Sequence, residues 1–223
     1  DASKSRGLGD VYKRQTDQSS TTANITAKAL TVSGITASSK TYDGSTSATL
    51  DITSVTYTGL LSGDTFTGSY SGVFANANVG TGKTVTITSS YSGADSGNYS
   101  ITDQSTTTAD ISAKALTATA SASNKTYDGG TTATTTLTFT GLVGSETLGQ
   151  TVGSTFDNKN VGTSKTVTVN SITLADGTNG GLALNYSINS GQTTTADITA
   201  KSLTLSGITA SDKTYDGSTS ATI

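Results

Sequence analysis

KTYDG, at Lys40–Gly44, returns at Lys125–Gly129 and again at Lys213–Gly217. Its tyrosines, Tyr42, Tyr127 and Tyr215, are 85 and 88 residues apart, and other landmarks keep the same step. Ile25, Ile111 and Ile198 stand in ANITAKAL, ADISAKAL and ADITAKSL at intervals of 86 and 87. YTGL at Tyr57–Leu60 recurs as FTGL at Phe139–Leu142, NVGTGKTVTI from Asn78 as NVGTSKTVTV from Asn160, and NYSI at Asn98 and Asn185. Self-similarity at a fixed period divides the chain into the end of one repeat (16–26), two complete repeats (27–113 and 114–200) and the start of another (201–223). It reads as a piece of something longer. A solenoid coil repeats every ~20–50 residues because one coil cannot bury a core by itself. A period near 87 residues is instead the size of a small domain closing its own core.

Inside a repeat, apolar residues alternate with polar ones: Leu30 and Val32, Leu50 and Ile52, Val55 and Tyr57, Val85 and Ile87, Tyr99 and Ile101. Period two is the signature of half-buried strands. Asp43-Gly44, Ser62-Gly63-Asp64, Asn78-Val79-Gly80 and Asp95 to Asn98 punctuate these runs with residues that accept positive φ. About seven short strands per repeat, with no helical period, predict an all-β chain of tandem β-sandwich, immunoglobulin-like modules joined as a rod. A helix-poor β-grasp-like module is the alternative. Val167 and Val169 give way to Ile172 and Leu174, a change of phase that predicts a β-bulge near Asn170. ADISAKALTATA runs from one repeat into the next without Pro or a Gly-Ser tract, so the linker is expected to be short and stiff.

Composition narrows the chemistry. Of 223 residues 82 are Ser or Thr, and Pro, Cys, Met, Trp and His are absent. Thr is β-branched, and its hydroxyl wets the outer face of a sheet without charge. Without His or Cys there is no ordinary general base near neutral pH and no thiolate, so no catalytic residue is expected, and no cofactor or metal. A formal charge of −3 and an isoelectric point near 4.7 argue against a nucleic-acid partner. No apolar run is long enough to span a membrane.

Asp1–Gln15, DASKSRGLGDVYKRQ, reads as translated sequencing adapter rather than authentic protein. DVYKRQ corresponds to GAT-GTG-TAT-AAG-AGA-CAG, Arg6 and Arg14 are the only arginines, and repeat similarity begins abruptly at Thr16. Setting aside its four basic and two acidic residues moves the formal charge from −3 to −5.

The three phased KTYDG copies, with the ADI-x-AKAL and NYS segments, resemble the YDG domain, a repeat of large bacterial surface adhesins similar to filamentous haemagglutinin and related to MBG-type repeats. The resemblance spans nearly all of Thr16–Ile223. It implies secretion, display on a bacterial cell surface, neighbouring repeats of the same chain as partners, and a role as an adhesion stalk that spaces or displays a distal binding domain. The alternative is that each repeat is itself a weak ligand- or glycan-binding module for a host or cell-surface receptor. The motif residues Tyr42, Asp43, Gly44, Tyr127, Asp128, Gly129, Tyr215, Asp216 and Gly217 are read as structural: Asp-Gly makes a tight turn while the tyrosine packs on the sheet and its hydroxyl finds a backbone partner. A calcium site on Asp43 is the functional counter-reading, without a dense acidic loop to support it. Lys28, Lys114 and Lys201, beside Asn24, Asp110 and Asp197, are read as edge-strand lysines rather than isopeptide cross-links. The sequons at Asn24, Asn98, Asn124 and Asn185 are read as turn and strand residues.

Overall fold

The computed structural model describes residues 20–223, so the adapter-like segment Asp1–Gln15 lies outside the described residues. Among them the chain is all-β, with two short 3-10 turns at Ser96–Asn98 and Ala183–Asn185 and no α-helix. The fold is β-sandwich-like.

In the first repeat, β1 (Lys28–Ser33) is the middle strand of a three-stranded sheet. It pairs antiparallel with β6 (Thr56–Thr58) and parallel with β9 (Tyr99–Thr102). A five-stranded sheet forms the larger layer, in the order β3 (Lys40–Thr41), β10 (Thr106–Ser112), β8 (Gly80–Ser92), β7 (Thr67–Phe74), β4 (Ser47–Ala48). A short pair, β2 (Thr36–Ala37) and β5 (Leu50–Asp51), completes the repeat. The period-two pattern works as expected: Leu30 and Val32 of β1 are buried, as are Val85 and Ile87 of β8, while the Thr residues between them stay exposed. Leu30, Val32, Ile35, Ile87 and Tyr99 make one core cluster.

The second repeat keeps the five-stranded sheet as β13 (Lys125–Thr126), β19 (Thr193–Thr199), β17 (Gly162–Asp176), β16 (Leu148–Phe156) and β14 (Thr132–Ala133). Its smaller layer is split into two pairs: β11 (Lys114–Ala115) runs parallel to β18 (Tyr186–Ser187), and β12 (Thr117–Ala122) runs antiparallel to β15 (Thr135–Thr140). The break between β11 and β12 falls at Leu116, which is buried in the core shared with the first repeat. Chain therefore passes from β10 through β11 to β12 with single-residue interruptions at Ala113 and Leu116, the near-continuous strand expected of this segment.

The bulge sits where the phase changes. Gly153 pairs with Ser171 and Ser154 with Val169, leaving Asn170 as the extra residue; its side chain donates to the Thr155 hydroxyl at 3.0 Å. Two other expectations need correction. Leu50 and Ile52 do not share a strand, because the Asp51 carboxylate takes the amide and hydroxyl of Thr53 and turns the chain after Asp51. Positive φ is found at Gly44 and Gly63 but not at Gly80 or Gly97; it moves to Gly82, whose amide is held by Asp110, and to Gly93, while Ser96–Asn98 forms a 3-10 turn instead. Parallel pairing of β1 with β9 and of β3 with β10 also distinguishes the repeat from an all-hairpin sandwich.

Residues 201–223 carry no strand, and Leu203, Leu205 and Tyr215 are 91%, 83% and 93% exposed. The KTYDG turn forms there nonetheless, with Gly217 at φ 73° and Lys213 paired to Asp216 at 2.9 Å.

Candidate functional site: the joint between repeats

Each KTYDG motif is a self-contained turn. Asp43 Oδ1 accepts the Ser45 amide at 2.8 Å and the Lys40 ammonium at 2.8 Å; the same ammonium donates to the carbonyls of Ser45 and Ser47 and lies 5.6 Å from the Phe74 ring centre. Lys125 repeats the arrangement with Asp128, Gly130, Thr132 and Phe156. Lys40 and Lys125 thereby hold the Asp43 and Asp128 carboxyls below the usual range. A Lys three residues before the Asp is the part of the motif that sequence reasoning passed over, although it stands in all three copies.

The turn aims Tyr42 out of its own repeat. Its hydroxyl donates to Glu146 Oε1 at 2.6 Å, 104 residues away in the second repeat, and not to the backbone as expected. Tyr186 donates to the other oxygen, Oε2, at 2.7 Å, while accepting the Val143 amide at 2.9 Å. One carboxylate thus clasps two tyrosines, whose rings meet edge to face 5.4 Å apart. Burial, then the Glu146 hydrogen bond, pushes the Tyr42 hydroxyl up to about 12, and the same causes raise Tyr186. Beside the clasp, the Val79 amide donates to Asn185 Oδ1 at 3.0 Å and Asn185 Nδ2 donates to Asn78 Oδ1 at 3.1 Å. Asn185 is fully buried, so these bonds replace water for an amide that would otherwise be stranded.

Apolar contacts close the joint. Tyr42, Phe74, Val85 and Ile111 of the first repeat share a cluster with Leu116 and Tyr186, against which Val79, Leu142, Val143 and Ile188 also pack. Gly44 is required twice over: its φ is +77°, and a Cβ there would stand 2.9 Å from the Val143 side chain.

The remaining motif residues fare differently. Gly129 has φ 83° and nothing near its Cβ position, Tyr127 is half-buried with no hydroxyl partner among the described residues, and Tyr215 is exposed. Asp110 and Asp197 cap the Gly82 and Ser164 amides and make no salt bridge to the neighbouring lysines. Tyr57, Tyr70, Tyr91 and Tyr99 gather around Phe66. The Tyr57 and Tyr70 hydroxyls are 3.0 Å apart, and burial, followed by Tyr57, raises the Tyr70 hydroxyl. No grouping of three or more potential metal ligands occurs among the described residues.

A YDG domain family model matches residues 26–109 and again residues 112–196. The chain belongs to the YDG domain family. The two matches meet between Ala109 and Ser112, immediately before the Leu116 break, so the clasp joins consecutive YDG domains. No curated protein and no solved structure matches the chain.

Proposed function

We propose that these tandem YDG domains are a spacer of a secreted bacterial surface adhesin, holding a distal binding domain away from the cell and carrying no catalytic role. The observation that supports this reading is the joint: adjacent domains share one apolar cluster and a two-tyrosine clasp, where a flexible tether would have exposed Gly and Ser. The disposition of the aromatic residues agrees with it. Sugar platforms need solvent-facing rings, whereas in the two complete repeats Tyr42, Tyr99 and Tyr186 are buried and Tyr57, Tyr70, Tyr91 and Tyr127 half-buried; the exposed Tyr215 lies in the incomplete third repeat. Small-angle scattering of the chain tests the spacer: a single rigid two-domain particle is expected, and a profile requiring a freely hinged pair would overturn it. Specific retention of the chain on a glycan surface, lost when Tyr57 or Tyr91 is replaced, would favour the ligand-binding alternative instead.

A further inference from the structure

The outward end of the second YDG domain, with the first residues of the third repeat, carries the same residue types as the joint described above. An open cavity of about 480 Å³ is lined by Tyr127, Asn160, Val161, Ala200, Lys201 and Leu203. By repeat register these are the counterparts of Tyr42, Asn78, Val79, Ala113, Lys114 and Leu116. In the filled joint Tyr42 and Leu116 are buried and Val79 half-buried; on the open end Val161 is 55% and Leu203 91% exposed.

The opposite end of the first domain presents the other half. Asp64 is the counterpart of Glu146, and Tyr99 of Tyr186. Tyr99 accepts the Leu61 amide at 3.0 Å and donates to Asp64 Oδ2 at 2.5 Å, reproducing the Val143–Tyr186–Glu146 chain. Asp64 Oδ1, in the place of the oxygen that receives Tyr42, has no partner among the described residues. Asn98, the counterpart of the fully buried Asn185, is exposed beside a groove of about 140 Å³.

We propose that the Tyr127–Asn160–Val161 face is a socket for a further YDG domain, engaged through that domain's carboxylate at the Asp64/Glu146 position and its Asn-Tyr pair at the Asn98/Asn185 position. The partner is defined by chemistry: a carboxylate already holding its own tyrosine with one oxygen and offering the other to Tyr127, an Asn amide for Val161 and Asn160, and an aliphatic residue in the place of Val143. The inference rests on the spacer reading for its biological use and on the observed joint for its geometry.

The test extends the full chain by appending a copy of Asp51–Ala113 after Ile223, since Lys201–Ile223 matches Lys28–Leu50 at 19 of 23 positions and so completes a third domain. Scattering from the extended chain is expected to fit one rigid three-domain particle. Val161→Asp and Tyr127→Phe are expected to leave the Tm of the 223-residue chain unchanged, yet to loosen the third domain of the extended chain. A third domain that folds but tumbles independently, or a Val161→Asp variant as rigid as its parent, overturns the socket; the two-domain scattering of the original chain is a separate result that decides the spacer. Should the appended domain fail to fold, Glu146→Asp in the 223-residue chain decides whether the shorter carboxylate can clasp. A Tm loss less than half that of Glu146→Ala supports the proposal, and an equal loss overturns it.

Discussion

Lys28–Leu50 and Lys201–Ile223 are nearly the same sequence in opposite surroundings. In the first, Leu30, Val32, Ile35 and Tyr42 are at most 5% exposed; in the second, their counterparts Leu203, Leu205, Ile208 and Tyr215 are at least 58% exposed. What the first has and the second lacks is partners: β6 and β9 on either side of β1, and Glu146 for the tyrosine. The KTYDG turn survives in both because the Lys–Asp pair, the Asp carboxylate on the Ser45 or Ser218 amide and the Gly at positive φ are all local. Strand identity here is conferred from a distance, turn identity from within seven residues.

The sharpest way to break this contrast is to remove the leucine. Leu30→Ala is expected to cost about 2–5 kcal/mol, as for other fully buried leucines, while Leu203→Ala changes stability by less than about 0.5 kcal/mol. Urea denaturation of the two variants side by side measures both. Next in size is Glu146→Leu, which strands two buried tyrosine hydroxyls at a cost of about 1–3 kcal/mol. Calorimetry should show the loss, and should show none for Asp212→Ala in the open segment.

Alkaline pH weakens the same joint from the tyrosine side. The Tyr42 hydroxyl is raised above its unfolded value of about 10, so the folded chain holds that proton more tightly. The stability it contributes is complete below pH ~10 and lost as pH climbs to about 12. Tm measured across that window should fall less for Tyr42→Phe than for the parent chain. Asp43 and Asp128 act in the opposite direction: their lowered values contribute stability present above the ordinary carboxylate range and lost as pH drops beneath it. Smallest is Lys40→Ala, expected to cost about 1 kcal/mol because its pair with Asp43 is half open to solvent, against no measurable effect for Lys213→Ala.

Much of this architecture can be read from residues alone. Period-two alternation places β1, β8 and β9, and the shift from Val169 to Ile172 locates the bulge at Asn170, because side-chain direction in a strand is set by its own neighbours. The joint is different. Tyr42 and Glu146 are 104 residues apart, and Asn78 and Asn185 are 107 apart, so no local periodicity links them. The hint available was that Glu146 is the single Glu of the chain and stands where the first repeat has Asp64. The Leu50–Ile52 alternation misled because Asp51 and Thr53 bond to each other more readily than they extend a strand.

Parallel pairing at the edges of the first domain bears on how it would carry tension. β1 enters beside β9 and β10 leaves beside β3, each pair running in the same direction. A pull on the two ends of the domain therefore drags neighbouring strands lengthwise past one another, and the rungs between them must give way together instead of unzipping singly. Force spectroscopy is expected to register that as an abrupt rupture of the first domain instead of a gradual extension.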